Sequence, residues 1–522
     1  MLLLKLLLCL WFLWLDGLHG AELRKLITPK IAPSSETLSS IFGFTAYETL
    51  RERIMDTERK ASLGGNMWLT SDEEKANSIL MNAKRAEIAE GLKNPDKYPP
   101  AMHFFQGKQY VRQSEVFRLI QKMPKGAFLH GHNTGMVSSR WIVGNLTTTS
   151  NLYTCRDVRG LLIFTYDQSK CHSEVQNVCT ERINAEDRDK YERQLERHIN
   201  MHCSRPEALL RNRTKIWERF ENIFTTVDRL YKYRPTYCAY HKRLLEELCE
   251  DNIIYAEVRA SLSPLYDDNN RTYSTLEVAN ELERIVEEFK AKHHDFVGLK
   301  VIYAKRNRAS EEEMARRITT FKQLHHAKPN FVIGFDLIGQ EDTGDRIKKH
   351  VNELSNFPST ANYFFHAGET NWNGVSDWNM MDAILLNTKR IGHAFALPKH
   401  PQLWATIKRR NIAIEVNPIS NQVLGFVWDL RNHPASFLIA ENFPIVISAD
   451  DPGTWGAKGL SYDFYYAFMA LAPAEADLRF LKQLALNSIE YAVLTPDERR
   501  KINRVFQRKW QEFIANVLNP KF

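Results

Sequence analysis

Short apolar runs alternate with longer amphipathic stretches from residue 125 to the end of the chain. Each run has the length of a strand, is rich in β-branched or aromatic residues, and is followed by polar or glycine residues. Alternating strands and helices indicate a parallel sheet, and eight such units predict a closed (β/α)8 barrel of the TIM type. The eight runs are Ala127–His132, Ile253–Ala260, Leu299–Lys305, Val332–Gly339, Tyr363–Glu369, Arg390–Ala396, Ile412–Pro418 and Ile445–Asp450.

An open, doubly wound sheet would show the same alternation of strands and helices. Such a sheet usually carries a glycine-rich phosphate turn after a strand, and the sequence has none. We therefore favour the closed barrel.

Two regions depart from the strand–helix rhythm. Residues 21–110 are rich in helix formers and charge, with helical patterns at Glu48–Lys60 and Ser71–Leu92. They predict a helical extension that packs on the main domain or on a second subunit, a loose pro-segment being the alternative. Residues 146–210 are polar, charge-dense and contain cysteines. They predict a disulfide-stapled module inserted into a barrel domain of residues 111–522.

The first twenty residues have the form of a secretory signal peptide. Lys5 supplies a positive charge, Leu6–Leu15 is apolar, and His19-Gly-Ala21 offers a cleavage point with small residues. An apolar run of this length is too short to span a bilayer, which disfavours a membrane anchor. We therefore expect a secreted protein that has no membrane span.

A secreted protein enters an oxidising environment, in which its cysteines can form disulfides. Four of the seven lie within residues 155–203, an even number that predicts two disulfides, and Cys155 with Cys171 is the preferred first pair. Zinc binding by this cluster is the rival, although no CxxC spacing supports it. Three Asn-x-Thr tripeptides are glycosylation acceptors on the same route, at Asn145, Asn212 and Asn270.

Composition and charge narrow the classes of partner. Hydrophobic residues make up 43% and charged residues 25% of the 522-residue chain, which is globular rather than disordered composition. The net charge of +7 is compatible with adhesion to acidic glycans. No basic stripe interleaved with aromatic residues indicates nucleic-acid binding, so we expect none.

Ionisable side chains recur where the predicted strands end. In a barrel, the carboxyl ends of the strands meet at one mouth and carry the active groups. His130 and His132 are two residues apart, so both imidazoles face one side of an extended chain. With His366 and Asp450 they supply three nitrogens and one oxygen, a set that suits zinc with one position open for water.

Three further residues at these ends complete a candidate hydrolytic site. Glu369 lies three residues beyond His366, where a carboxylate can take a proton from metal-activated water and return it to a leaving group. His393 can orient or stabilise the attacking oxygen, and Asp451 can hold a ring nitrogen of a substrate. A surface turn is the alternative for Asp450-Asp451-Pro452, but the apolar run before it predicts a buried strand.

Five ordered motifs resemble those of the adenosine deaminases. They are MPKGAFLHGH (123–132), FHAGE (365–369), IGH (391–393), NPISNQ (417–422) and SADDP (448–452). The N-terminal extension, the signal segment and the cysteine-bearing insertion resemble the secreted branch, the adenosine deaminase-related growth factors or type 2 adenosine deaminases. The likeness covers nearly all of the chain after the signal segment.

The resemblance implies a (β/α)8 barrel of the metal-dependent hydrolase type, a reaction and a cofactor. One zinc ion per subunit would be held by His130, His132, His366 and Asp450, with Glu369 as proton donor to the purine ring and His393 as general base on the water. Attack at C6 of adenine would release ammonia, so that adenosine, and 2′-deoxyadenosine, would give inosine or its deoxy form. Members of the family form dimers through the N-terminal helices, receptor binding is ascribed to the inserted module, and some promote growth by lowering extracellular adenosine.

The resemblance also implies substrate contacts and shows three departures. The implied contacts are Asn133 at the ribose, Trp217 and Glu218 over the nucleoside, Arg306, and Gly339 with Asp451 at the purine. The family usually has an acidic residue in place of Asn133, and an amide should form a weaker bond than a carboxylate. The branch commonly has His in place of Arg306 and Gln340, and Gly in place of Ala394.

Three functions are compatible with these residues. The first is an extracellular adenosine deaminase. The second is a zinc-holding relative with little turnover that acts as a binding or signalling protein, which the departures at Asn133, Arg306 and Ala394 motivate. The third is a barrel hydrolase for another purine or an amide, and the Asp450-Asp451 pair argues for a purine.

Overall fold

Eight parallel strands pair side by side in chain order. The computed structural model describes residues 44–210, 212–269 and 271–520. Every pairing of neighbouring strands is parallel, which the crossover helices between them require. The strands are β1 (Gly126–Phe128), β2 (Ile253–Ala260), β3 (Gly298–Arg306), β4 (Val332–Ile338), β5 (Asn362–Tyr363 and His366–Ala367), β6 (Arg390–His393), β7 (Ala413–Val416) and β8 (Ile445–Ile447).

Strand β5 is shared between two ladders. Its first part pairs with β4 and its second part with β6, while Phe364 and Phe365 between them lie outside both ladders. The chain still continues the sheet there, because Phe364 N–H donates to Phe335 O at 3.1 Å and Phe365 O accepts Gly392 N–H at 2.8 Å. The single run expected over Tyr363–Glu369 is therefore interrupted.

Backbone bonds between the ends of β1 and β8 close the barrel. Gly131 and Asp450 form a parallel bridge, in which Asp450 N–H donates to His130 O at 3.0 Å and His132 N–H donates to Asp450 O at 3.1 Å. The prediction of a closed (β/α)8 barrel, rather than an open sheet, is confirmed.

Helices surround the barrel and fill the connections. None of those within the described residues combines the length and apolarity needed to cross a membrane. The long ones that flank the strands are Arg213–Lys232, Arg234–Glu250, Thr275–Lys292, Glu311–Ala327, Pro401–Arg410, Leu478–Glu490 and Pro496–Leu518, and shorter ones are Val351–Ser355, Asn379–Leu385, Pro418–Val423, Ala435–Ala440 and Ser461–Tyr466.

Helices also make up the described part of the N-terminal region. Residues up to Glu58 and residues from Arg59 onward form separate compact units, and the described part of the first unit is helical with mostly exposed side chains. In the second unit Thr70 caps a helix in a reciprocal box with Glu73. The helices are Phe44–Ala61, Ser71–Lys93, Phe104–Val111 and Glu115–Lys122. The predicted signal segment lies outside the described residues.

The cysteine-bearing insertion has its own small antiparallel sheet. Its strands are Tyr153–Arg156, Leu162–Thr165 and Gln176–Asn177, followed by the helices Val178–Asn184, Arg188–Arg197 and Pro206–Leu210. Cys155 and Cys171 form a disulfide, which confirms the preferred pair. The second predicted disulfide is wrong, because Cys179 and Cys203 are free and the Cys179 thiol instead donates to the carbonyls of Thr148 and Thr149.

Candidate active site

Four side chains from three places in the chain converge at the mouth of the barrel. One ligand atom each from His130, His132, His366 and Asp450 lies within 4.8 Å of the others. The closing bridge at Gly131 places Asp450 beside the two histidines, and Nε2 of His132 lies 3.1 Å from Oδ1 of Asp450. The predicted ligand set is therefore brought together as one cluster.

Buried carboxylates hold two of the imidazoles by their outer nitrogens. Nδ1 of His130 lies 2.6 Å from Glu415, and Nδ1 of His366 lies 2.7 Å from Asp336. Each Nδ1–H donates to its carboxylate, which leaves Nε2 unprotonated toward the cluster, as in metal sites where a second carboxylate fixes the tautomer. Burial lowers the pKa of His366 to about 4, so this imidazole is neutral near pH 7, as a ligand must be.

Two arginines form buried ion pairs with these carboxylates in the barrel interior. Arg259 reaches Asp336 and Glu415, both at 2.7 Å, and Arg390 reaches Glu415 at 2.6 Å. All four side chains are fully buried, so the two arginines keep Glu415 ionised and hold its pKa well below the usual range despite its burial. Sequence reasoning missed these positions, although charged residues in the middle of otherwise apolar strands were a visible signal.

Glu369 is buried beside the cluster. Its Oε1 lies 3.5 Å from His393 Nδ1 and has no hydrogen-bond partner among the described residues. Burial, reinforced by the charges of Asp450 and Glu341, raises the pKa of the Glu369 carboxyl well above its usual range. The raised pKa favours the protonated form of Glu369, in which the carboxyl can donate a hydrogen bond.

A relay of hydrogen bonds assigns the tautomer of His393. Ala435 N–H donates to His433 Nδ1 at 3.0 Å, so His433 carries its proton on Nε2 and donates it to Asn421 Oδ1 at 2.9 Å. The Asn421 amide then donates to His393 Nδ1 at 3.0 Å. The proton of neutral His393 consequently lies on Nε2, which faces Asp450 at 3.7 Å. This arrangement favours a hydrogen-bond donor over a general base at His393.

The two aspartates after β8 differ in their surroundings. Asp450 accepts the Ser420 hydroxyl at 2.7 Å, and although burial opposes ionisation, the adjacent imidazoles of His130 and His132 hold its pKa well below the usual range. Asp451 is buried in the same cavity with Oδ1 unpartnered among the described residues. Burial and the neighbouring Asp450 raise the pKa of Asp451 well above its usual range, which favours the protonated form that can donate a hydrogen bond.

Three residues of the site adopt left-handed backbone conformations. The φ angles are +60° at His393, +43° at Ala394 and +58° at Asp450. A side chain is strained in this region, and such strain is typical of functional sites. Glycine takes a positive φ without steric strain, which agrees with the glycine that the resemblance implied at the position of Ala394.

A cavity of about 890 Å³ opens onto the cluster and contains most of the predicted substrate contacts. Trp217 is buried in its wall, and Gly339 lines it with φ +109°. Arg306 lines the outer part, where it pairs with Glu221 at 2.8 Å. The structure does not bring Glu218 into the lining, because one residue beyond Trp217 the helix turns the side chain to solvent, whereas Glu221 returns to the cavity one turn on.

Asn133 forms a hydrogen bond with His241, a residue of the cavity that the sequence analysis did not identify. His241 Nδ1 lies 2.8 Å from Tyr237 O and must donate to it, so its Nε2 accepts the Asn133 amide N–H at 3.2 Å. Asn133 Oδ1 is thereby free to accept a hydroxyl from the cavity, which both residues line.

The predicted glycosylation acceptors have a simpler placement. Asn145 and Asn212 are exposed, and Asn212 caps the helix Arg213–Lys232 through Lys215 N–H at 3.1 Å. Asn270 lies outside the described residues.

The closed barrel and a candidate metal centre at its mouth define a hydrolase of the barrel type. Comparisons with known proteins narrow this class. Residues 8–120 match the family model described as Adenosine/AMP deaminase N-terminal, and residues 204–508 match the model described as Adenosine deaminase.

Several curated relatives match almost end to end. The chain is 40% identical to an adenosine deaminase of Phlebotomus duboscqi over 474 residues, which cover 90% of this chain and 91% of the relative. It is 39% identical to adenosine deaminase 2 of Sus scrofa, covering 92% and 96%, and of Homo sapiens, covering 92% and 95%. The chain belongs to the adenosine deaminase family, in the branch of adenosine deaminase-related growth factors and type 2 adenosine deaminases. The predictions of this family and of an adenosine deaminase among hydrolases are confirmed.

Solved structures share the fold at much lower identity. The N6-methyl-AMP deaminase of Arabidopsis superposes with a TM-score of 0.54 at 17% identity, covering 75% of this chain and 99% of that one. The adenine deaminase of Arthrobacter aurescens gives 0.52 at 15% identity, covering 75% and 99%. At this distance they bear on the fold alone.

Proposed function

We propose that this protein is a secreted, zinc-dependent enzyme that converts adenosine, and 2′-deoxyadenosine, to inosine or deoxyinosine and ammonia. The observation that carries the proposal is the convergence of His130, His132, His366 and Asp450, with the protonated Glu369 beside them. A nitrogen-rich set of four ligands next to a general acid is what hydrolytic removal of an aromatic amino group requires.

The cluster fits zinc on its own chemistry. Three imidazole nitrogens and one carboxylate oxygen match the ligand preference of this ion. Nε2 of His130 and Oδ1 of Asp450 are buried and have no hydrogen-bond partner in the part of the chain that the structure describes, a costly state unless a cation is bound. Zinc, when bound, lowers the pKa of a water to about 7 and so supplies a nucleophile at neutral pH.

The chain's own residues would orient the base and move protons. Glu369 donates its proton to a ring nitrogen of the purine, which makes C6 more electrophilic. Asp451, also protonated, donates to a second ring nitrogen, and the backbone of Gly339 completes the hold on the base. His393 Nε2–H stabilises the negative charge that develops on the attacking oxygen. Water adds at C6, one of its protons returns Glu369 to the protonated form and the other passes to the amino group, the C6–N bond breaks, and the amino group leaves as ammonia.

Sugar binding is the task of the residues further out in the cavity. Asn133 Oδ1 accepts a ribose hydroxyl, and His241 holds the amide in that orientation. Trp217 covers the nucleoside from the helix Arg213–Lys232, where it packs against Phe220 and Phe426. Arg306 lies beside this region, paired with Glu221.

Loss of adenosine absorbance tests the proposal, measured on purified protein with metal content determined on the same sample. We expect steady turnover with zinc and none after chelation. Glu369→Gln should lower kcat by at least about 10³-fold with zinc retained, whereas Glu174→Gln, the same change at an exposed carboxylate, should not. Constant absorbance at full zinc occupancy would contradict an active enzyme and favour an extracellular binding or signalling role.

The remaining parts of the proposal concern the protein outside the barrel. The signal-like first twenty residues, the Cys155–Cys171 disulfide and the exposed Asn145 and Asn212 support secretion with glycosylation. We propose a homodimer formed through the N-terminal helices, and a cell-surface receptor or acidic glycans as partners of the inserted module. Growth promotion would follow from lowering extracellular adenosine.

A further inference from the structure

The cavity continues beyond the residues assigned to the nucleoside. Its outer arm is lined by the end of β3, by the loop after β2 and by the helix Glu311–Ala327. The arm begins close to the metal cluster. His132 of the cluster forms a parallel β-bridge with Arg259, and Ser261, which lines the arm, lies two residues after Arg259. Two residues of extended chain span about 7 Å, which is within reach of a substituent on a nucleoside sugar.

The outer arm carries an excess of positive charge. Three of its cations pair with carboxylates of the arm, namely Arg306 with Glu221, Lys232 with Asp228, and Arg317 with Glu313. Three others form no ion pair of 4 Å or less with a carboxylate in the described part of the chain: Lys305, Arg308 and Arg316. The Arg308 guanidinium donates to Thr343 O, and Arg316 interacts electrostatically with Glu312, which does not line the cavity. The acidic side chains that line the arm therefore leave these three positive charges without an ion pair.

Lys305 is the cation of the arm whose charge is most destabilised by burial and by neighbouring positive charges. It is partly buried, its Nζ donates to Ser261 O at 2.8 Å, and it lies 4.6 Å from the centroid of the Tyr303 ring. Burial, with the charges of Arg317 and Lys232, lowers the pKa of Lys305 to about 8. An anion bound between Lys305 and Arg308 would relieve the repulsion and the desolvation together.

The inner end of the arm lacks the charge that would repel such an anion. Asn133 carries no charge, and the pair that it forms with His241 is neutral, since Tyr237 O and the Asn133 amide engage both ring nitrogens. A carboxylate at position 133 would repel a phosphate on the sugar, whereas an amide does not. The neutral Asn133–His241 pair and the cationic arm are independent observations that favour the same ligand.

We propose that the enzyme also deaminates adenine mononucleotides, with Lys305, Arg308 and Arg316 binding the phosphate on the sugar. This inference rests on the proposed deaminase function and widens its substrate class. The reaction is the same at the base: water adds its oxygen to C6, the C6–N bond breaks, ammonia leaves, and the phosphate remains on the sugar of an inosine monophosphate. Arginine and lysine are the side chains that bind phosphate best.

The test compares adenosine with adenosine 5′-monophosphate and 3′-monophosphate on zinc-loaded protein. Chromatography must identify inosine monophosphate as the product, so that phosphate loss before deamination is detected. We expect kcat/KM for one of the nucleotides to be at least about one hundredth of that for adenosine, and the active isomer shows where the phosphate lies. A lower ratio for both nucleotides, with adenosine converted, overturns this inference alone. Conversion of no substrate overturns the proposed function as well.

Charge variants locate the phosphate. Lys305→Gln should lower the nucleotide-to-adenosine ratio of kcat/KM about tenfold, as should Arg308→Gln, because each removes a charged hydrogen bond. Arg409→Gln removes the same charge from an exposed helix position outside the cavity and should leave the ratio unchanged. Asn133→Asp should lower the ratio as well, by restoring a carboxylate beside the sugar. An unchanged ratio in folded, zinc-loaded Lys305→Gln and Arg308→Gln proteins contradicts the assignment.

Discussion

The carboxylate of Glu341 accepts the backbone N–H of Glu369 at 2.7 Å. Its other oxygen accepts Gly368 N–H at 3.0 Å and the side-chain amide of Asn379 at 2.9 Å. Glu341 is buried and contributes no group to the metal cluster. The position of the proposed proton donor therefore depends on a carboxylate that holds its backbone.

Replacing Glu341 should impair the positioning of Glu369 while leaving the binding of adenosine nearly unchanged. In Glu341→Gln one oxygen becomes an amide nitrogen that cannot accept an N–H, so the turn carrying Glu369 loses one of its anchors. We expect kcat to fall about 10- to 100-fold, with KM for adenosine changed by less than about threefold. Steady-state kinetics with zinc content measured in parallel checks this. A wild-type kcat would show that the turn keeps its place without the carboxylate.

The relay through Asn421 offers a test of the His393 tautomer. In Asn421→Asp the new carboxylate still accepts the proton of His433 Nε2 but can no longer donate to His393 Nδ1. His393 must then protonate Nδ1 and lose the proton from Nε2, which faces the site. We expect kcat to fall by at least about a hundredfold, as for a histidine held in the wrong tautomer, with zinc retained. A higher kcat in this variant would instead identify His393 as a general base.

Metal affinity should depend on Asp336 although it is not a ligand. Asp336→Asn removes the charge that fixes His366 through Nδ1, and partners of this kind typically contribute 10- to 100-fold in metal affinity. We expect the zinc dissociation constant to rise about that much, with activity restored at high zinc. Titration with a competing chelator measures the change, and an affinity equal to wild type would contradict the role.

A buried lysine should make stability depend on pH. Lys84, on the helix Ser71–Lys93, donates to the carbonyls of Pro473 and Ala476 at 3.0 and 2.8 Å and lies 3.9 Å from the centroid of the Phe468 ring. Burial lowers its pKa from 10.5 in the unfolded chain to about 7, although the charge of Glu475 works against this. Between these two values the unfolded chain binds more protons, so this group makes the folded state more stable as pH rises.

Lys84→Met removes this linkage and supplies the comparison. The unfolding free energy of the wild type relative to Lys84→Met should increase by about 2 to 4 kcal/mol between pH 7 and pH 10, as the proton leaves the buried amine. Denaturant unfolding of both proteins across this range measures it. A constant difference between the two curves would mean that Lys84 stays protonated when buried.

The barrel was predictable from the sequence because its signal is repetitive. Each strand is an apolar run that ends in polar residues, and the histidines and aspartates of the cluster stand at those ends. The interruption of β5 at Phe364 and Phe365 was not predictable, because the apolar pattern continues through both residues while the ladder changes partners. The sequence also predicted some strand ends several residues too late. The first run was expected to reach His132, but β1 ends at Phe128, so that His130 and His132 lie beyond it.

Long-range partners limited the prediction of the site. Asp336, Glu415 and Glu341 form their hydrogen bonds with residues 25 or more positions away in the chain. The sequence around each carboxylate does not indicate which residue it will contact. The helix over the cavity was recognised through Trp217, but the choice between Glu218 and Glu221 depends on which helix face turns inward. Only a three-dimensional register decides that.

The seam between the first and last strands determines when the metal centre can exist during biosynthesis. His130 N–H donates to the Ser448 hydroxyl across 318 residues of chain, and Asp450 adds its oxygen at the same seam. A growing polypeptide on the ribosome holds both early histidines long before it holds this aspartate. In the secreted, zinc-dependent enzyme proposed above, zinc loading would therefore follow closure of the barrel, and the secretory compartment rather than the cytosol would have to provide the ion.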